Sequence, residues 1–208
     1  MSKIASVPAG KIKVPEIKIT ESIKLSAKET AMIVVDMQND FVAPDGAMSV
    51  PAAMDTVPKI KDLLQRAREA EVHVVYSQDT HLPESPEHDI WTPHVMKDST
   101  GWEIYKDLKP QPNEIVFQKP RYDAFYGTSL DHYLTNLWNV KNLIVVGTVS
   151  NICVMHTMAS AGLRWLHVIC PADCISALSE FEQALTLHQT STLFQGDIVR
   201  TYTDITFE

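Results

Sequence analysis

The chain has 208 residues, of which 45% are hydrophobic and 21% charged, and its formal net charge is −8. These fractions are ordinary for a globular protein, and the negative charge disfavours nucleic acid and anionic membrane as partners. We therefore expect a small-molecule partner. No apolar run approaches the ~18 residues needed to span a bilayer, and residues 1–20 lack the apolar core of a signal peptide. Three cysteines, an odd number, argue against a disulfide framework and indicate a reducing, cytoplasmic location.

The composition changes once along the chain, at about residue 30. Residues 1–30 are polar, with apolar residues spaced nearly two apart. This spacing predicts an extended N-terminal arm that lies on the body of the protein or on a neighbouring subunit, with a partly disordered tail as an equal alternative. Residues 31–208 are predicted to form one domain with an ample core.

Apolar runs and helical periodicity alternate through the rest of the chain. The runs predict strands at residues 31–35, 72–76, 114–118, 143–146 and 166–170 and a short last strand at 192–194. The periodicity predicts helices within residues 50–70 (regular only after Pro58), 128–138, 155–163 and 179–191. This alternation is typical of an α/β fold with a parallel sheet and helices on both faces. The seven glycines contain no dinucleotide fingerprint, so no organic cofactor is expected.

Charged and nucleophilic residues follow several of the predicted strands. Asp36, Asp79 and Lys119 come at or just after strand ends, and Cys153 lies on the turn that follows residues 143–146. Because the carboxyl ends of parallel strands share one edge of the sheet, we expect these side chains to converge. There, Asp36 can accept the thiol proton while Lys119 holds both groups in place. The set is suited to amide hydrolysis.

The position of Cys153 favours a nucleophile. If Ser150 is the N-cap, Cys153 is the third residue of a helix, where free N–H groups and the helix dipole lower a thiol pKa. The alternative is a buried core cysteine. His156, one helical turn further on, is interpreted as a structural residue rather than as the base, and Cys170 and Cys174 as buried thiols.

Three segments carry a family resemblance. Residues 34–41 (VVDMQNDF), 119–130 (KPRYDAFYGTSL) and 147–154 (GTVSNICV) resemble the signatures of the isochorismatase-like cysteine hydrolases. That family includes nicotinamidase, N-carbamoylsarcosine amidase and ureidoacrylate amidohydrolase. The resemblance implies a three-layer Rossmann-like α/β fold with a six-stranded parallel sheet. We also expect a homo-oligomer.

The same resemblance implies roles for individual residues. Asp36, Lys119 and Cys153 would form the catalytic triad. A cis peptide would join Thr148 to Val149, and the backbone N–H groups of Val149 and Cys153 would form the oxyanion hole.

A second set of residues resembles the metal site of nicotinamidases. Asp79, His81 and His94 would hold a divalent ion such as Zn²⁺ or Mn²⁺. Thr80 departs from that pattern, in which the residue is usually Trp. The alternative is that the three are hydrogen-bonded loop residues lining the pocket.

Substrate contacts are predicted for aromatic residues and one arginine. Phe41, Trp102, Tyr122 and Phe125 are candidates for the pocket wall, with core packing as the alternative. Arg121 is a candidate for binding a substrate carboxylate, with a solvated arginine as the alternative.

The sequence thus predicts a cysteine amidohydrolase that cleaves a small carboxamide or ureido compound. Metal-assisted hydrolysis of nicotinamide is the alternative activity. A non-catalytic binding protein on the same fold is disfavoured by the presence of Asp36, Lys119 and Cys153.

Overall fold

A parallel β-sheet forms the centre of the structure, a computed structural model that describes residues 10, 11 and 13–208. Residues 1–9 and 12 of the predicted arm lie outside the described residues. The part of the chain that the structure describes has nine strands: β1 Ile23–Leu25, β2 Thr30–Val35, β3 His73–Asp79, β4 Ile115–Lys119, β5 Asn142–Thr148, β6 His167–Pro171, β7 Ile175–Ser176, β8 Asp197–Val199 and β9 Ile205–Phe207. The central sheet has the order β4-β3-β2-β5-β6-β8, and β7 pairs with the end of β5. Seven parallel strands therefore replace the six expected, and the additional strand is the two-residue β7.

Among the described residues, four α-helices and two π-helical segments surround this sheet. The α-helices are α1 Asn39–Val42, α2 Ala53–Glu69, α3 Met155–Leu163 and α4 Glu180–Thr192. The π-helical segments are His132–Leu137 and Ser150–Val154. Short 3₁₀ turns occupy Ala27–Glu29, Pro86–Asp89, Lys106–Leu108, Ala172–Cys174 and Tyr202–Asp204.

Each face of the sheet carries its own hydrophobic core, because side chains alternate along every strand. On β2, Met32 and Val34 join the core that α2 covers, whereas Ile33 and Val35 join the core on the opposite face. Leu134 of the first π-helical segment and α3 cover this second core. The three-layer α/β architecture is therefore confirmed.

The strand order places a reversal between β2 and β5. From β2 the chain builds outward through β3 and β4, and from β5 it builds outward on the other side through β6 and β8. Ligand sites of open α/β sheets lie at such a reversal, at the carboxyl ends of the strands. Asp79 and Lys119 are direct register partners there, and Val35, which precedes Asp36, pairs with Gly147.

Two predicted elements are wrong in position. The last strand was expected at 192–194, but α4 continues to Thr192 and the strand is β8, Asp197–Val199. The hydroxyls of Thr190 and Thr192 donate to carbonyls one helical turn back, so these β-branched residues are accommodated in the helix. Helix α2 begins at Ala53 and contains Pro58 near its start, rather than becoming regular after it.

The described part of the N-terminal segment packs on its own chain. Strand β1 pairs in parallel with β9, and the Thr20 N–H donates to the carbonyl of Ile198 over 2.7 Å. The domain boundary at residue 30 remains a prediction. Within residues 10, 11 and 13–208, no helix combines the length and apolarity that a membrane crossing requires.

Candidate active site

Asp36 lies directly after β2 and is fully buried. Its backbone adopts a positive φ of 50°, and its N–H donates to the carbonyl of Ser77 over 3.2 Å. The Ser77 hydroxyl donates in turn to Asp36 Oδ1 over 2.8 Å. One carboxylate oxygen is thus fixed by the neighbouring strand β3.

Lys119 ends β4 and has no solvent exposure. Its Nζ lies 2.8 Å from Asp36 Oδ2, 3.0 Å from Asp79 Oδ1 and 3.6 Å from Cys153 Sγ. Asp36 Oδ2 is held by this ion pair and is the carboxylate oxygen that the Ser77 hydroxyl does not bind. A buried ammonium therefore joins two carboxylates and a thiol, and one carboxylate oxygen is left available to accept a proton.

The turn carrying Cys153 differs from the expected helix start. Val149, not Ser150, is the extended residue that precedes the turn, and Ser150–Val154 is π-helical before α3 begins at Met155. The Ser150 hydroxyl instead donates to Gln183 Oε1 of α4 over 2.7 Å. The predicted cis peptide between Thr148 and Val149 is confirmed. The backbone N–H groups of Val149 and Cys153 lie on this turn, and their oxyanion role stays a prediction.

The electrostatics of the thiol differ from the expectation. Burial raises the pKa of Cys153 well above its ordinary value, Lys119 offsets only part of that rise, and the carboxylates of Asp36 and Asp79 add to it. The predicted lowering of this pKa is therefore wrong. Burial also raises the pKa of Asp36, against the effect of Lys119. Burial lowers the pKa of Lys119, but the two carboxylates outweigh it and raise that pKa well above its usual range.

Asp79, His81 and His94 come together at the end of β3. All three are buried, and their potential ligand atoms lie within 4.8 Å of one another. Asp79 Oδ2 is 3.1 Å from His81 Nε2 and 3.8 Å from His94 Nε2. Burial alone would raise the pKa of Asp79, but Lys119 and His81 hold it at about 2, so the carboxylate is charged.

The donor set fits a divalent ion. His94 Nδ1 lies 2.7 Å from the carbonyl of Thr92, which can only accept, so Nδ1 carries the proton and the neutral ring turns the Nε2 lone pair toward Asp79. Burial lowers the pKa of His94, which favours this neutral ring. His81 Nδ1 has a comparable outer partner in the Ser85 hydroxyl at 3.4 Å. Two imidazole nitrogens and a carboxylate are ligands that Zn²⁺ uses in proteins.

The predicted wall residues have defined contacts. Phe41 is buried with its ring edge against His94, and Trp102 donates its indole N–H to Thr80 Oγ1 over 2.9 Å. Tyr122 accepts a hydrogen bond from Trp91 over 2.9 Å. These contacts place Phe41 and Trp102 beside the Asp79 cluster.

Other predicted contacts are already occupied within the protein. Phe125 is buried in the second core with its ring under Arg164, so packing alone accounts for its position. Arg121 pairs with the buried Glu87 and lies over the ring of Tyr122, so a substrate carboxylate would compete with Glu87 for it.

Gln38 and Ser77 are site residues that the sequence interpretation missed. Gln38 is fully buried, and its Nε2 donates to the carbonyls of Asp79 and Trp102 over 2.9 and 2.8 Å. Its Oε1 accepts the Asp79 N–H over 2.8 Å. Gln38 thus holds the backbone of Asp79 in place, as Ser77 holds Asp36. Ser77 could have been identified from the sequence, because it is a polar residue inside an apolar strand. His156, by contrast, bonds the Ile152 carbonyl of its own turn over 2.7 Å, as its structural interpretation anticipated.

Comparison with known proteins identifies the family of the chain. An isochorismatase domain family model matches residues 30–201. The chain is therefore a hydrolase of the isochorismatase-like class, and it belongs to the isochorismatase family, as its three sequence signatures predicted.

Individual relatives share most of the chain. Ureidoacrylate amidohydrolase RutB of Stutzerimonas stutzeri is 29% identical over 201 residues, covering 84% of this chain and 81% of the relative. The structure of N-carbamoylsarcosine amidase from Thermoplasma acidophilum superposes with a TM-score of 0.75 at 30% identity, covering 83% of this chain and 96% of that one. Nicotinamidase PncA from Bacillus subtilis gives a TM-score of 0.78 at 25% identity, with 83% and 100% covered.

Proposed function

We propose that this chain is a cysteine amidohydrolase that cleaves the C–N bond of a small carboxamide or ureido compound through a thioester on Cys153. The observation that carries the proposal is the position of Lys119 Nζ, within 3.6 Å of Cys153 Sγ and within 3.0 Å of both Asp36 and Asp79. A lysine buried among two carboxylates and a thiol is costly for folding and is typical of an active site.

The proposed reaction begins with a protonated thiol. Asp36 Oδ2 takes the thiol proton as Cys153 Sγ attacks the carbonyl carbon, so proton transfer and attack proceed together. The oxyanion is stabilised by the N–H groups of Val149 and Cys153. Asp36 then returns the proton to the leaving nitrogen, the C–N bond breaks, and ammonia or an amine departs. In the second half, Asp36 takes a proton from water, whose oxygen attacks the thioester carbon. The C–S bond then breaks, Asp36 returns the proton to Sγ, and the acid and the free thiol are released.

Lys119 has a positioning and electrostatic part in this scheme. Its ammonium stabilises the Asp36 carboxylate before proton transfer and the developing thiolate during attack. Asp79 accepts from the same ammonium, which keeps Nζ between the acid and the nucleophile.

The relatives named above support two substrate classes. Ureidoacrylate and N-carbamoylsarcosine are ureido compounds, and hydrolysis of such a compound is our first choice. Nicotinamide, a ring carboxamide, is the alternative, and the cluster of Asp79, His81 and His94 favours it. When bound there, a divalent ion such as Zn²⁺ or Mn²⁺ would supply a Lewis-acidic point for a ring nitrogen or a carboxylate.

We also propose a homo-oligomeric, cytoplasmic protein. Leu163, Trp165 and Leu193 expose 81%, 91% and 67% of their surface around one groove, an apolar patch suited to burial by another subunit. All three cysteines are free, in keeping with a reducing compartment. Sedimentation should give a mass above the monomer for the wild type and a lower mass for Trp165→Ser. A monomeric wild type would contradict the assembly.

The function is tested by ammonia release from ureidoacrylate, N-carbamoylsarcosine and nicotinamide, with chelator or with added Zn²⁺. Release from a ureido compound in chelator supports the first choice, and Zn²⁺-dependent release from nicotinamide supports the alternative. Absence of release from all three, under both conditions, would contradict the proposed substrate classes.

A further inference from the structure

Asp40 lies where three segments near the candidate site meet, although it contacts none of the reacting groups. Its Oδ2 accepts the N–H of Val95 over 2.7 Å, and its Oδ1 accepts the N–H of Ala47 over 3.2 Å. Its backbone N–H donates to the carbonyl of Gly101 over 3.0 Å, and its carbonyl accepts from Met48 over 3.1 Å. The side chain thereby joins the loop after α1 to the loop that carries His94.

Val95, the residue held by Asp40, has a strained backbone. Its φ is +39°, a value that a β-branched residue rarely adopts, and its side chain is fully buried. Such a conformation persists only where surrounding contacts impose it. Two contacts do so: the N–H of Val95 donates to Asp40, and its carbonyl accepts the N–H of His81 over 3.2 Å. Val95 thus connects Asp40 to both histidines: it accepts a hydrogen bond from the N–H of His81, and it is the residue that follows His94 in the chain.

The Asp40 carboxylate has little room to leave this position. A Cβ added at Gly101 would overlap the carboxylate, and one added at Gly46 would overlap the backbone carbonyl of Asp40. Two glycines are therefore required for the loops to close around this residue.

We propose that Asp40 is a positioning residue that fixes His94, and with it the geometry of the Asp79–His81–His94 cluster, through the strained backbone of Val95. This inference rests on the proposed function in one respect, the identity of the ligand that the cluster binds. The placement of His94 is a separate property of the chain and can be measured without substrate or metal.

The test compares Asp40→Ala and Asp40→Asn with Asp45→Ala as a matched control, because Asp45 is exposed and makes no side-chain hydrogen bond with any described residue. The chelator-treated proteins are treated with diethylpyrocarbonate, and the modification rate of His94 is obtained by peptide mapping. Cys170 and Cys174, both fully buried, report global opening through their alkylation rates in the same samples.

In Asp40→Ala we expect His94 to be modified about tenfold faster or more, because a hydrogen bond to a charged acceptor is lost, with Cys170 and Cys174 unchanged. Asp40→Asn keeps only one of the two acceptor oxygens and, with that oxygen facing the N–H of Val95, should restore part of the protection. Asp45→Ala should behave as wild type. An unchanged His94 rate in Asp40→Ala, or a rise matched by both thiols, would overturn the inference. A wild type that cleaves none of the three amides, together with selective release of His94, would reject the proposed substrates and retain the positioning role.

Discussion

Replacing Lys119 by methionine tests the buried ion cluster on which the candidate site depends. Methionine nearly fills the same space but removes the charge that lies 2.8 Å from Asp36 and 3.0 Å from Asp79. Both carboxylates then remain buried without the cation, since their residues are only 0% and 4% exposed.

The magnitude follows from these distances. Two oxygens that each lie within 3.0 Å of Nζ are at most ~6 Å apart, and at an effective dielectric constant of ~20 their repulsion is ~3 kcal/mol. Breaking a buried pair by removing one partner typically costs ~3–5 kcal/mol. We therefore expect Lys119→Met to lower the free energy of unfolding at pH 7 by ~3–5 kcal/mol.

Urea denaturation measures this loss, and Lys61→Met provides the matched control. Lys61 and Asp107 form an exposed pair 3.8 Å apart, so the same substitution there should change stability by at most ~0.5 kcal/mol. Adding Asp36→Asn to Lys119→Met removes one orphaned charge and should recover part of the stability. A loss below ~1 kcal/mol for Lys119→Met, or no recovery in the double variant, would refute the account of the cluster.

Three further predictions concern the nucleophile, the sheet and the metal. Cys153 should react with limiting iodoacetamide faster than Cys170 or Cys174, because it is 5% exposed whereas they are fully buried. Peptide mapping with most label on either of those two would contradict this. Gly147→Ala should destabilise the fold by ~3 kcal/mol or more, since Gly147 has a φ of +121° and an added Cβ would overlap the Val35 backbone. A wild-type midpoint in urea denaturation would contradict this and show that β2 and β5 can separate at this position. Asp79→Ala should abolish the binding of Zn²⁺ to chelator-treated protein in equilibrium dialysis, and unchanged binding would place the ion at other ligands.

The convergence of the site was predictable from the sequence because it follows from topology. Apolar runs identify the core strands, parallel strands share one carboxyl edge, and Asp36, Lys119 and Cys153 each lie at or just after a strand end. Their proximity needs no information on loop structure. The roles assigned to the three residues remain predictions.

The pKa of Cys153 was not predictable, because local signals and burial act in opposite directions. The adjacent turn and a nearby lysine both favour a thiolate. The burial of the thiol beside two carboxylates outweighs them, and that burial depends on contacts between segments far apart in the chain.

The pairing of strands far apart in the chain was not predictable from the sequence, for a related reason. Strands β1 and β9 are three residues each, and Ile23 pairs with Ile205 across nearly the whole chain. The period-two spacing of residues 1–30 indicates an extended segment but not the strand with which it pairs, because that partner is met only in the folded protein. The misplaced last strand shows a similar limit: Thr190 and Thr192 favour a strand by propensity, but their hydroxyls bond within α4.

The most direct measurement of the central claim is the intact mass of the protein during turnover of a cleaved amide, with acid quenching on the millisecond scale. The account predicts a transient adduct equal in mass to the acyl group, mapped to the peptide containing Cys153, and neither adduct nor turnover in Cys153→Ala. Turnover by Cys153→Ala at the wild-type rate, or an adduct mapped to another residue, would contradict it.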